Sequence, residues 1–133
     1  MSGVIQILLA AGSENSVSSS MYFTLQQING NDDSVVGIIT DGVSISAIAG
    51  TGFNINAIPT ESIGSVVFSM TGPVNKTQTE SVAPYALYGD TAGNFSSGAA
   101  IPVGTYNLTV TAWSASGGTG TILGQDIIVF YAV

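Results

Sequence analysis

The chain has 133 residues, enough for one domain with a real core. Hydrophobic residues make up 45% but charged residues only 7%, far below the roughly 25% usual in globular proteins; polarity rests on Ser, Thr, Asn, Gln and Gly, a neutral exterior that suits a particle surface or the extracellular space. A net charge of −7, with Lys76 the only basic residue, excludes binding to phosphate backbones and attraction to an anionic membrane, and the absence of Cys and His removes disulfides, thiolate metal sites and the commonest catalytic base.

Gly3–Gly12 comes first in chain order. Six of the seven residues from Val4 to Ala10 are apolar, and a polar tether, Ser13–Ser20, follows. The strip lacks the basic n-region of a signal peptide, so export would use another route, such as lysis or particle assembly. It is far short of the roughly 20 residues of a membrane helix. As a strand it would span about 30 Å. Ile5, Ile7 and Leu9 would face one way and Val4, Gln6 and Leu8 the other. An edge with two mostly apolar faces invites aggregation and has to be covered. Three covers fit: the chain's own sandwich, a neighbouring subunit, or the surface of a host particle. The tether is longer than the two to five residues of a compact hairpin. That favours an arm engaging another chain by strand addition, through Val4, Ile5, Ile7, Leu8 and Leu9. Residues 1–20 therefore read as arm and tether, and residues 21–133 as one folded unit.

Beyond the tether, period two dominates. Tyr22–Ile28 and Val35–Thr40 flank the turn Asn29-Gly30-Asn31-Asp32-Asp33, and Asp41-Gly42 reads as a two-residue hairpin turn into Val43–Ala49. Phe53, Ile55 and Ala57 alternate with Asn54 and Asn56; Val66, Phe68 and Met70 alternate with Ser65, Val67 and Ser69. Tyr106, Leu108, Val110 and Ala112 alternate with Thr105, Asn107, Thr109 and Thr111. Each run predicts a strand with one face on a core and the other wet. Gly50-Thr51-Gly52, Thr71-Gly72-Pro73, Ile101-Pro102-Val103-Gly104 and Ser116-Gly117-Gly118 punctuate them. The last run, Gln125–Val133, is apolar on both faces: Ile128, Phe130 and Ala132 on one, Ile127, Val129, Tyr131 and Val133 on the other. Such a strand is expected to be covered on both sides, so Ile127, Val129 and Tyr131 belong to a core or an interface. No stretch has useful helical periodicity. Short strands with frequent turns predict an all-β fold, an immunoglobulin-like β-sandwich of about 7–8 antiparallel strands carrying an N-terminal strand or arm. Tyr106, just after the Gly104 turn, stands where such a fold has its tyrosine corner.

From about Tyr22 to Val133 the chain resembles an immunoglobulin-like repeat module of secreted, multidomain proteins of marine and environmental bacteria. The likeness rests on Phe53–Ala57, Ile63–Pro73, Thr79–Asp90 and Pro102–Trp113, the most specific piece being Glu-x-x-x-Pro-Tyr-x-Leu-x-Gly-Asp from Glu80 to Asp90. The resemblance implies adhesive or carbohydrate-active surroundings and brings no catalytic residues.

Carboxylates are the sole candidates for acid–base work. Glu80 and Asp90 could meet near the motif, as a glycosidase pair about 5–10 Å apart would require. Satisfying backbone N–H groups in a long loop is the stronger reading of both. Serine is abundant but lacks a base of the usual kinds. No enzyme is expected, and no cofactor. Asp32 and Asp33, beside Asn29 and Asn31, and Asp90, beside Asn94, are weak calcium candidates. Calcium takes six to eight oxygens, and Asx-rich turns account for both clusters without an ion. Trp113, Tyr85 and Tyr88 are platforms for a glycan, although Trp113 is solitary and in the outward register. Asn-x-Ser/Thr sequons occur at Asn75, Asn94 and Asn107. The sequence points to a non-enzymatic assembly subunit of a virion surface or extracellular filament. Its partner would be itself or a host-particle protein, and carbohydrate binding or adhesion is the rival reading.

Overall fold

A computed structural model describes residues 21–133. The apolar strip and tether, including Val4, Ile5, Ile7, Leu8 and Leu9, lie outside the described residues. Twelve strand segments are present: β1 Phe23–Asn29, β2 Ser34–Ile38, β3 Ser44–Ile45, β4 Ile48–Pro59, β5 Ser65–Thr71, β6 Lys76–Glu80, β7 Tyr85–Ala86, β8 Asp90–Thr91, β9 Asn94–Phe95, β10 Ala99–Ile101, β11 Gly104–Ala115 and β12 Thr119–Ala132. Seven of these are five residues or longer. The expected alternation of turns and strands accounts for six of those seven and missed β6; the short segments have too few residues to show a period.

Ten of the strands form two five-stranded sheets, and β8 and β9 form a separate two-stranded one. One has the order β10-β4-β1-β2, with β7 also on β4; the other has the order β3-β12-β11-β5-β6. All ladders are antiparallel except one: β3 runs parallel to β12, Ser44 opposite Tyr131 and Ile45 opposite Ala132. That pair departs from an all-antiparallel expectation. It arises because Asp41-Gly42 does not close a hairpin. The chain instead crosses from the first sheet to the second there. The Asp41 carboxylate accepts the Val129 N–H at 2.8 Å, and the Gly42 N–H donates to the Val129 carbonyl at 2.7 Å. Gly42 sits at φ 84°, a backbone conformation that an Asp-Gly pair serves as well in a crossover as in a hairpin.

The inward faces are the ones that period two selects. Phe23 and Leu25 of β1 and Phe53, Ile55 and Ala57 of β4 meet Val66, Phe68 and Met70 of β5, with Leu108 and Val110 of β11 and Ile128 and Phe130 of β12, all buried in one cluster. Phe130 stacks on Tyr106 (ring centroids 5.1 Å apart) and on Phe53 of the opposite sheet (6.1 Å). Burying each such ring is worth about 1.5–3 kcal/mol, so this aromatic column is one of the ties between the layers. The Tyr106 hydroxyl donates to the Pro102 carbonyl at 2.7 Å, four residues upstream. This satisfies a phenol that is otherwise wholly enclosed.

The Glu80–Asp90 motif belongs to the wall of this core. Tyr85 and Ala86 pair with Ala57 and Asn56 of β4, and Leu87 enters the core, its N–H donating to the Ile55 carbonyl. The chain then leaves the sheet, makes the small β8–β9 hairpin, and returns as β10. Asn54 fills the gap this leaves in the ladder. Its Oδ1 accepts the Tyr88 and Ile55 N–H groups, both at 2.9 Å, and its Nδ2 donates to the Gly89 and Ser96 carbonyls at 3.3 and 3.2 Å. Alternation placed Asn54 on a wet face; it is fully buried, because the 88–98 excursion roofs it. Gly98 returns the chain at φ 70°, where an added Cβ would overlap the Phe53 carbonyl oxygen.

Candidate docking surface

β2 is the outer strand of its sheet. It pairs with β1 on one side, and among the described residues nothing pairs with its other side. Gln26 faces Ile38 and Gln27 faces Gly37, but Ile28 faces Val35, so Val36 is the extra residue of a bulge. Val35, Val36 and Ile38 remain 53%, 57% and 50% exposed. These are large apolar side chains on a sheet edge, where unpaired N–H and C=O groups offer a template for another strand.

Across from this edge, in the other sheet, lies β3. Ile39 is buried, and the crossover at Thr40–Val43 closes the flank at the Phe23 end of β1. Toward the Asn29 end the two layers stay apart and leave a groove of about 440 Å³. Val36, Ile38, Val43, Ile45 and Ile48 give it an apolar lining, and Gln27, Asn29 and Thr51 line its polar end. No charged residue lines it. Gly37 opens it: a Cβ built there would meet no atom within 4 Å. The geometry offers a row of backbone hydrogen-bonding groups beside a pocket for apolar side chains. Those are the two parts of recognition by strand addition.

Where chain 1–20 joins the sandwich, the backbone is held firmly. The Tyr22 and Phe23 N–H groups donate to the two oxygens of Asp126, each at 2.8 Å. Asp126 occupies an inward position of β12 and is buried. Charge-assisted bonds to backbone N–H groups are what make a buried carboxylate tolerable there. The Tyr22 ring lies on Gly124, where an added Cβ would come within 2.2 Å of it, and its hydroxyl donates to Glu61 at 2.9 Å. Burial, reinforced by the Glu61 hydrogen bond and charge, pushes the Tyr22 phenol up to about 12.

The residues that the sequence singled out are dispersed. Ile127, Val129 and Tyr131 are not core residues, contrary to one of the two expectations for them. They point outward from β12, opposite Thr109, Asn107 and Thr105, with Ile127 70% exposed. A two-faced apolar strand need not be sandwiched; here only the Ile128, Phe130 and Ala132 face is covered. Trp113 pairs with Ile122 and Ser65 on the outer face of the second sheet. Tyr85 is half-buried and lines two shallow cavities of about 370 and 350 Å³ beside Pro59 and Ala83, neither of them lined by Trp113 or Tyr88. Tyr88 packs inward with the Lys76 ammonium 5.1 Å from its ring centroid. Its buried hydroxyl has no hydrogen-bond partner among the described residues, and burial, with a smaller effect of Tyr106, raises its pKa. The three rings therefore form no common platform.

The calcium candidates are engaged in their own turns. Asp32 accepts the Ser34 N–H and hydroxyl at 2.9 and 2.6 Å, which lower its pKa. Asp33 is at φ 66° in the same turn, and Asp90 accepts the Gly93 N–H at 2.8 Å. Among the described residues no three acids come together in a way that could hold a metal ion. Glu80 takes the Gln78 amide, its carboxylate lying beside Gly89, while Asp90 takes the Gly93 N–H.

Sequence reasoning missed Gly37, Gln27, Ile48 and Asp126. A glycine in an apolar run was the one available signal for the first, since it weakens a strand unless a close approach needs it. No protein-family model matches the chain, and comparisons with curated proteins and with solved structures found no significant match.

Proposed function

We propose that the chain is a non-catalytic assembly subunit of a particle surface or filament, an immunoglobulin-like sandwich whose copies are joined by strand addition. One observation carries the reading: a bare sheet edge, β2, displays three large apolar side chains beside an uncharged groove. A monomer that works alone at high concentration gains nothing from such an edge, because it invites association. The immunoglobulin-like assignment is supported by the Tyr106–Pro102 hydrogen bond at the start of β11. A virion surface or an extracellular filament fits the hydroxyl-rich exterior and the single basic residue.

Light scattering coupled to size exclusion, followed by negative-stain electron microscopy of the full chain, tests the proposal. Rings, filaments or stable oligomers are the expected outcome, and a strict monomer at all accessible concentrations overturns it. Adhesion to glycans is the second reading, favoured by Tyr85 lying beside Asn56 in one shallow cavity. A glycan array on wild type and Tyr85→Ala decides that reading: ligand retained by wild type and lost in the variant supports it.

A further inference from the structure

We infer that the groove between β2 and β3 is the acceptor for residues 3–12 of a second copy of this chain. The inference rests on the assembly reading above and names the two parts that would meet. Four observations lead to it.

The first is chemical fit. The groove lining holds no charged residue, and residues 3–12 hold none either. Ile5, Ile7 and Leu9 fall on one face of an extended strand, and alternate side chains of a strand added to β2 would turn toward Val43, Ile45 and Ile48. Gly37 supplies the room, since no described residue occupies the space where its side chain would be.

The second is electrostatic. Copies carrying −7 each repel one another, so self-association selects a face without carboxylates. The groove lining is such a surface, with Asp32 and Asp33 confined to the turn before β2 and Asp41 to the crossover.

The third is length. Twenty residues precede Met21, of which the eight from Ser13 to Ser20 form a polar tether. Extended, that tether reaches about 27 Å, enough to carry the strip clear of its own sandwich.

The fourth is placement. The chain joins the sandwich at Tyr22, fixed on Asp126 and Gly124, whereas Asn29 and Thr51 mark the polar end of the groove at the other end of β1. A strip filling its own groove would run its tether back over the closed crossover; a strip entering a neighbour's groove meets no such obstacle. The resulting contact is heterologous, arm to groove, and propagates as a ring or an open filament.

The test uses the full chain, a variant lacking residues 1–12, and Gly37→Phe, with Val36→Lys as a second blocking variant should the first fold poorly. Size exclusion with light scattering gives the assembly state, and amide hydrogen exchange reads protection at Ser34–Ile38. A fluorescent synthetic peptide of residues 1–20 is titrated into the truncated protein. The inference expects an assembled full chain with protected β2 amides and a folded, monomeric truncation. It also expects the peptide to bind one-to-one, with affinity reduced at least tenfold by either groove variant. Assembly that survives both groove variants with β2 amides still exposed overturns the inference and leaves the assembly reading standing. The strip would then dock elsewhere, for example along the outer face of β12. A monomeric full chain whose β2 amides are protected only when residues 1–12 are present overturns it in favour of filling within one chain. A monomer with exposed β2 amides overturns both readings.

Discussion

The two flanks of the sandwich solve the same problem in opposite ways. On one, the outer side of β4 is closed by β7, the 88–98 excursion and β10, and Tyr88 reaches the Lys76 ammonium of β6 in the opposite sheet. Polar groups do the closing: the Asn54 amide alone ties Tyr88, Gly89 and Ser96 to the ladder. On the other flank, β2 and β3 face each other across an apolar, uncharged groove that no described residue fills. Closing a flank with the chain's own backbone requires a partner for each N–H and C=O taken out of water. Leaving it apolar requires only that something else cover it. The contrast teaches that the long Glu80–Asp90 motif closes one flank from within the chain, and that the flank proposed for docking carries no motif at all.

Asn54→Ala is expected to have the largest effect. It takes the acceptor from the Tyr88 and Ile55 N–H groups and a donor from the Gly89 and Ser96 carbonyls, and each buried group left unsatisfied costs about 1–3 kcal/mol. A loss of about 3–4 kcal/mol in urea unfolding is expected, with little change in assembly if truncated and full chains are compared. A loss under about 1 kcal/mol would mean that the closed flank does not depend on its polar ties. In the opposite direction, Tyr88→Phe removes a buried hydroxyl that has no partner among the described residues while keeping the ring under Lys76. It is expected to stabilise by about 1 kcal/mol, measured the same way.

At the Tyr22 junction, stability depends on pH. The phenol, pushed up to about 12 from an ordinary 10.0, keeps its proton longer in the folded state than in the unfolded one. The associated stability is fully present below about pH 10 and is lost as pH rises toward 12. Absorbance at 295 nm is expected to show one tyrosine titrating near that value, and Glu61→Gln to bring it down. The smallest effect is expected on the open flank. Gly37→Ala meets no atom and restricts the unfolded chain, so stability should be unchanged or rise by up to about 0.5 kcal/mol. A clear loss would mean that the groove is filled within the same chain.

The sequence by itself determined the fold class and most of the core. Phe53, Ile55, Phe68, Leu108 and Phe130 point inward because alternation is a local property, set by the pleat of each strand. The turn at Asn29–Asp33 and the Tyr106 corner were legible for the same reason: their residue types serve a local backbone geometry. Only the tertiary structure decided what lies next to what. Asn54 followed the wet register and is roofed by residues 88–98. Asp41-Gly42 had hairpin chemistry and became a crossover, Ile127 had core chemistry and faces outward, and Gly37 signalled only a weak point in a strand, not the groove it opens. Period two tells each strand which side is dry, but an edge is an edge only once every other strand has chosen its neighbour. That choice is made by contacts far apart in the chain, which no local pattern encodes.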